Sequence, residues 1–255
     1  MKETVKYHTE PYEVTEEQLK FYKDNGYLLI KGVFPKEDTA VMRQDMEKFA
    51  NGFYTNYLNM HYFNNLRRVH RNKRLCDIAD SIFSARAVPI GATAFFCKPN
   101  NPLENGSTWH QDNYGGRTPT GDTYINVAVG IDAADATNGA LMVIPGSHKL
   151  GELPCSPKAN FSKDEKGRLY NSAPIGNDCE VPKDLPIVQL EYDEGDIIVL
   201  HALTVHKANK NVHPTRWRRA IYYMYVQDNT PFWPGWTAKR ELLERYDSPE
   251  YVDED

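Results

Sequence analysis

The chain has 255 residues, 40% hydrophobic and 25% charged, with a formal net charge of −5. That length suits one large globular domain or at most two small ones, and the acidic balance argues against a nucleic-acid partner. Four cysteines, Cys76, Cys97, Cys155 and Cys179, show no CxxC or CxC spacing; they are too few for a disulfide scaffold and point to a reducing, cytoplasmic setting.

The first residues, MKETVKYHTEPYEV, lack the apolar core of a secretory signal. No apolar run approaches the ~18 residues of a membrane span, so no membrane partner is expected. Thr15, followed by Glu16 and Glu17, reads as the N-cap and acidic first turn of a helix. Leu19, Phe21 and Tyr22 give it a partial apolar stripe, and Asn25-Gly26 ends it. YLLIKGV then reads as a short strand. PKEDTAVMRQDMEKFANG predicts a second helix with Val41, Met42, Met46 and Phe49 on its apolar face and Gly52 near its end. KRLCDIADSIFS predicts a third.

The pattern changes after about residue 88. AVPIGATAFFCK, TYINVAVGID, GALMVIPGSH, LPIVQLEYDEGDIIVLHALTVHKA and RRAIYYMYV are short and β-rich, with Pro, Gly, Asn and Asp between them. Strands at this spacing predict a mainly β protein, a double-sheet jelly roll with the early helices packed on one sheet. The whole chain, 1–255, then forms a single domain: a helical part over about 1–88, the jelly-roll core over about 89–228 and a tail over 229–255. The polar stretch 150–186 is long enough to be a functional loop or lid.

The stretch STWHQDNYGG carries His110 and Asp112 one residue apart. On a strand, alternate side chains share a face, so both could face the inside of a barrel while Gln111 points elsewhere. An imidazole and a carboxylate so placed can hold one metal ion. HALTVHKANKN offers a third ligand in either His201 or His206. Two histidines and one carboxylate are the facial set of non-haem iron(II), which leaves three positions of an octahedron open. An isolated HxD is weak evidence, and a lone histidine is more often packed than ligating. The β-rich surroundings, the later His-bearing strand and the cluster Arg216, Arg218 and Arg219 strengthen the reading. Iron of this kind needs an electron donor, usually 2-oxoglutarate, whose far carboxylate suits a guanidinium fork. The cluster opens an apolar strand, so at least one arginine should point inward and need a carboxylate partner.

At these residues the chain resembles the phytanoyl-CoA dioxygenase family of Fe(II)/2-oxoglutarate oxygenases. LKFYKDNGYLLIKGVF, FCKPN ahead of WHQDNY, GIDAADATNGALMVIPGSHK, and EGDIIVLHALTVHKANKN followed by RWRRA each look like a family segment, in the family's order. The resemblance implies a double-stranded β-helix core, with Fe(II), 2-oxoglutarate and O2 as the reagents. It makes His110, Asp112 and His206 the metal ligands, with Asn211 completing an H-x-x-x-x-N pattern, and leaves His201 a supporting residue. It makes Arg218 the 2-oxoglutarate partner, although the distance from His206 is one residue longer than is common, which keeps Arg216 and Arg219 open. Ala208 stands where many members carry a Ser or Thr that touches the cosubstrate, so Gln111 or Thr108 is expected to take that contact. The retained Asp112 favours hydroxylation over halogenation, since related halogenases replace it.

The expected activity is therefore oxidation, most simply hydroxylation, of an unactivated C–H bond in a small, polar metabolite, yielding succinate and CO2. Desaturation or cyclisation by the same chemistry, a non-catalytic jelly-roll binding protein, and a zinc hydrolase are the alternatives. Tyr114 and Arg117 are expected at the substrate mouth, with packing and solvation as their plainer roles. Trp233 and Trp236 are candidates to cover the pocket or to make an oligomer contact; the sequence does not set the oligomeric state.

Overall fold

The computed structural model describes residues 10–49, 58–59, 64–100, 106–114, 118–157, 161–163, 169–171, 177–231 and 244–247. Helix α1 spans Glu16–Asn25. Thr15 caps it: its side chain accepts from Gln18 N while the Gln18 side chain returns to the Thr15 backbone, and Gly26 closes the far end with φ +77. Its apolar stripe is narrower than expected. Tyr22 is buried and Leu19 packs on the core, but Phe21 lies outside, edge-on to Tyr27.

Strand β1 (Tyr27–Ile30) follows, then α2 (Lys36–Phe49), whose Met42 and Met46 are fully buried. Phe49 (in its side chain) and Gly52 lie outside the described residues. After β2 (Leu58–Asn59) comes α3 (Asn64–Arg71), a helix that the sequence pattern did not announce, and then α4 (Lys73–Phe83), capped by Asn72. Helix α3 buries only Leu66 and Val69 as apolar residues, three apart, amid Asn and Arg. Two apolar positions on eight residues give too little periodicity to read.

The strands that follow are β3 (Ala87–Cys97), β4 (Tyr124–Gly130), β5 (Leu141–Val143), β6 (Cys155–Pro157), β7 (Phe161–Lys163), β8 (Leu169–Asn171), β9 (Asn177–Cys179), β10 (Val188–Leu190), β11 (Ile197–His201), β12 (His206–Ala208) and β13 (Arg218–Gln227). A six-stranded sheet has the order β1-β11-β4-β13-β3-β2, and a three-stranded sheet the order β10-β5-β12. All the described pairings within them are antiparallel. This is the jelly-roll architecture expected, with the helices on one face of the larger sheet.

Side-chain alternation sorts the larger sheet into two chemistries. Ile125, Val127 and Val129 of β4, Ile197 and Val199 of β11, and Ile221, Tyr223 and Tyr225 of β13 join α2, α3 and α4 in one core. Ala128 of β4, Ile198 and Leu200 of β11, and Tyr222 of β13 turn the other way and meet Leu141, Val143 and Leu190 of the smaller sheet. Burying these residues on both faces supplies the main stabilisation, roughly 25 cal/mol per Å2 of apolar surface.

The 150–186 stretch carries two small ladders, β6 with β9 and β7 with β8, and a Cys155–Cys179 disulfide joins the first pair. The sequence pattern, read as pointing to a reducing setting, did not announce this bond: the two cysteines lie 24 residues apart in sequence but are direct partners across a ladder. Cys76 and Cys97 are free and buried. Among the described residues no helix is long and apolar enough to cross a membrane. Tail residues 244–247 dock on the helices, where Arg245 pairs with Asp80 and donates to the Ala87 carbonyl. Trp233 and Trp236 lie outside the described residues.

One close approach locks β11 to the helical layer. Gly195, at φ +86, donates to Gly130 O and accepts from Phe34 N, and a Cβ there would overlap the Phe34 carbonyl oxygen. Both the backbone conformation and the contact reject a side chain. Gly195→Ala should cost more than about 2 kcal/mol and lower Tm by several degrees, measured by calorimetry. A Tm within a degree of the parent's would contradict this account.

Candidate metal centre

His110 and His206 face each other across a single antiparallel bridge. Each backbone N–H donates to the other's carbonyl, both at 3.0 Å. The HxD segment is thus not the strand expected: its ladder is one bridge long, and Asp112 already lies in a turn. The cause is Asn113. Its side chain accepts from Thr118 N and Oγ1 and donates to Thr118 O, while its backbone N–H donates to Ala202 O. These bonds fold the chain back directly after His110 and Asp112.

The imidazole rings stand 4.2 Å apart between centroids. His110 Nδ1 lies 2.8 Å from the Thr108 carbonyl and His206 Nδ1 lies 2.9 Å from the Thr204 carbonyl. A carbonyl only accepts, so each Nδ1 carries the proton and each Nε2 presents a lone pair. Both lone pairs meet the Asp112 carboxylate: His110 Nε2 is 3.8 Å from Oδ1, and His206 Nε2 is 3.8 Å from Oδ2. One ligand atom from each of the three residues lies within 4.8 Å of the others. Three acceptors facing one another repel unless a cation sits among them. The donor set, two borderline nitrogens and one oxygen, suits iron(II).

Sheet alternation also separates the candidate residues. On β13, Arg218 shares the parity of Tyr222 and is buried between the sheets. Its Nη2 lies 2.6 Å from Cys97 Sγ, and its charge reaches the Tyr192 hydroxyl, which burial pushes up and Arg218 pulls back. Burial likewise raises the Tyr222 hydroxyl, and the nearby Arg218 charge pulls it back. Arg219 has the opposite parity and pairs with Asp132 and Glu47 on the helical side. Arg216 pairs with Asp135. Asn211 donates to the carbonyls of Cys97 and Arg216, pinning the end of β3 to the start of β13 beside Arg218.

The two histidines offered by HALTVHKANKN divide in the same way. His201 has the helix-side parity of Ile197 and Val199 and cannot reach the space between the sheets. Its Nδ1 accepts from Leu203 N, its Nε2 is 3.3 Å from Asp122, and it lines a separate surface pocket with Tyr22 and His148.

Gln111 and Thr108 differ in what they have left to give. The Gln111 amide is engaged throughout, donating to Gly151 O and Leu203 O and accepting from Leu153 N. It ties the metal segment to the start of the 150–186 stretch and keeps no hydrogen for a cosubstrate. Thr108 Oγ1 is buried with no partner. The Tyr114 hydroxyl reaches Cys155 O at 3.5 Å, and Arg117 lies outside the described residues. Sequence reasoning passed over Asn126, Tyr192 and Tyr222. Asn126 had a signal, a carboxamide amid the apolar run TYINVAVGID.

A jelly roll that brings two imidazoles and a carboxylate together beside a buried arginine belongs to the iron- and 2-oxoglutarate-dependent oxygenases. The family model described as Phytanoyl-CoA dioxygenase (PhyH) matches residues 22–220, and the chain belongs to that family; it is an Fe(II)/2-oxoglutarate dioxygenase. A relative from Stutzerimonas stutzeri, described as a probable alpha-ketoglutarate-dependent hypophosphite dioxygenase, is 24% identical over 86% of this chain and 80% of its own. Among solved structures, the epimerase SnoN in complex with Fe3+, alpha ketoglutarate and nogalamycin RO has a TM-score of 0.67 at 18% identity, covering 86% of each chain. The carbocyclase SnoK, also from nogalamycin biosynthesis, has the same TM-score and identity over 92% of this chain and 96% of its own.

Burial, and then the neighbouring His148, pull the His201 pKa from 6.5 down to about 4. The folded state therefore favours the neutral ring. That contribution to stability is whole above pH 6.5 and is lost as pH falls from about 6.5 toward 4. Urea unfolding at pH 7 and pH 4.5 should show a smaller difference for His201→Asn than for the parent protein. An equal difference would mean that His201 does not titrate as its surroundings demand.

Proposed function

We propose that His110, Asp112 and His206 hold Fe(II), that Arg218 receives the far carboxylate of 2-oxoglutarate, and that the enzyme hydroxylates an unactivated C–H bond of a small, polar metabolite. The convergence of two fixed Nε2 lone pairs on one carboxylate carries this reading. Iron held there would supply the oxidising power in the presence of 2-oxoglutarate and O2, with succinate and CO2 as the coproducts.

The chain's own residues do the rest. Thr108 O and Thr204 O hold the two rings, and Asn113 holds the turn that presents Asp112. Arg218 sits where the two sheets exclude water, so a carboxylate placed against it gains a strong charge-assisted contact. Thr108 Oγ1 offers the cosubstrate the hydroxyl that Ala208 lacks. Tyr114 and Arg117 remain the candidates for the substrate mouth. The similarity to a relative described as acting on hypophosphite, and to a structure solved with nogalamycin RO, supports a small-molecule substrate. Asp112 supports hydroxylation, because a carboxylate ligand occupies the place that a halide would need. The cytoplasmic setting belongs to this proposal as well; there, cellular thiols would compete with the Cys155–Cys179 bond.

His110→Ala, Asp112→Ala and His206→Ala should each abolish stoichiometric Fe(II) binding in anaerobic titration, while His201→Ala keeps most of it. Retention by His206→Ala with loss by His201→Ala would reverse the ligand assignment.

Arg218→Ala should raise the 2-oxoglutarate concentration needed for half-maximal turnover by about 10- to 100-fold, in line with about 1.5–3 kcal/mol for a charged hydrogen-bonded contact. Arg216→Ala should change it little. Equal effects would mean that the arginine is misassigned. For the reaction itself, mass spectrometry of product formed under labelled oxygen should find one atom from O2 per succinate. A desaturated or cyclised product without that atom would replace hydroxylation by another oxidation.

A further inference from the structure

Strand β4 carries Asn126 on the face that looks between the sheets, one step from Ala128. It is 4% exposed, in a strand whose other residues are apolar or glycine. Its Nδ2 lies 2.5 Å from Asp112 Oδ2. A carboxylate only accepts, so this contact fixes which end of the carboxamide faces Asp112. The other end, Oδ1, is buried and has no hydrogen-bond partner. An unsatisfied buried acceptor costs about 1–3 kcal/mol, and a β-branched apolar residue would suit the middle of a sheet better. Packing therefore does not account for an asparagine here, whereas its contact with the metal carboxylate does.

The Asp112 carboxylate spreads across the centre, with Oδ1 on the His110 side and Oδ2 on the His206 side, each 3.8 Å from the ring nitrogen it faces. Nothing in that placement stops both oxygens from taking a position on one ion. A six-coordinate ion with two imidazoles and one carboxylate oxygen has three positions left, enough for a chelating 2-oxo acid and O2. With both oxygens bound it has two, and the chelate fills them.

The geometry points to Asn126 as a positioning residue: its amide engages Asp112 Oδ2, restricts the carboxylate to a single ligating oxygen and so keeps open the position that O2 requires. This rests on the assignment of His110, Asp112 and His206 as the iron ligands. It assigns Asn126 no contact with the reacting atoms. Its unpartnered Oδ1, beside the same carboxylate, is left as an acceptor for a donor group of whatever molecule enters the space between the sheets.

The test uses the full chain, reconstituted anaerobically with Fe(II), with nitric oxide as the probe for the O2 position. Asn126→Val removes the amide. Asn126→Thr is the second variant, since threonine suits a strand and its hydroxyl is shorter than the amide it replaces. Three quantities are read: Fe(II) affinity by chelator competition, 2-oxoglutarate binding by the charge-transfer absorption of its iron complex, and nitric oxide affinity of that complex by electron paramagnetic resonance. Both variants should bind Fe(II) within about threefold of the parent or more tightly, and should keep the charge-transfer band. Nitric oxide affinity should fall at least tenfold. A parallel fall in Fe(II) affinity and Tm would reduce Asn126 to a structural support, and unchanged nitric oxide affinity would also overturn the inference. Asp112→Ala separates this failure from failure of the underlying reading: if that variant binds Fe(II) as well as the parent does, the ligand assignment itself falls.

Discussion

Two backbone hydrogen bonds, exchanged between His110 and His206, set the geometry on which the rest of the site depends. They place two segments, far apart in sequence, directly opposite each other. Each ring is then turned by a carbonyl two residues before it, Thr108 for one and Thr204 for the other. The two contacts follow the same local rule, a histidine Nδ1–H donating to the carbonyl at position i−2. The lone pairs have only one direction left to face, toward Asp112. The bonds that turn the rings are made within the protein, and the repulsion among three facing acceptors is a cost that a bound cation would relieve.

The larger sheet acts as a partition. Residues of one parity on β4, β11 and β13 belong to a helix-backed apolar core; those of the other parity belong to the space between the sheets. Sequence neighbours therefore take unrelated roles. Arg218 stands between the sheets, while Arg219 joins Asp132 and Glu47 on the helical side. Val127 packs under the helices, while Asn126 meets the Asp112 carboxylate. His201 falls on the helical side, and the turn after it is needed before His206 can reach the centre. A shift of register by one residue on β13 would put Arg219 between the sheets in place of Arg218 and take it from Asp132 and Glu47.

Much of this was legible in the sequence because it rests on local rules. Thr15 and Gly26 announce α1, and each caps it by a hydrogen bond within a few residues. The β-rich segments after residue 88 and the HxD spacing identify the architecture and the metal chemistry. Other features depend on partners far along the chain. Helix α3 holds its place through residues such as His70, which contacts Met224 O and lies against Tyr223 and Tyr225, so its own pattern is thin. The turn at Asp112 needs Thr118 and Ala202, which no reading of WHQDNY supplies. The disulfide could not be inferred from spacing, since Cys155 and Cys179 meet only because β6 and β9 pair.

The 150–186 stretch shows how a peripheral segment becomes part of the site. Its entry is held by Gln111, which lies between His110 and Asp112, through bonds to Gly151 O and Leu153 N. Its return is held by Cys179 N, which donates to Trp109 O at 2.7 Å. The residues on either side of His110 thus each grip one arm, and the Cys155–Cys179 bond ties the arms to each other. A segment anchored in this manner cannot move without pulling on the backbone that carries His110 and Asp112.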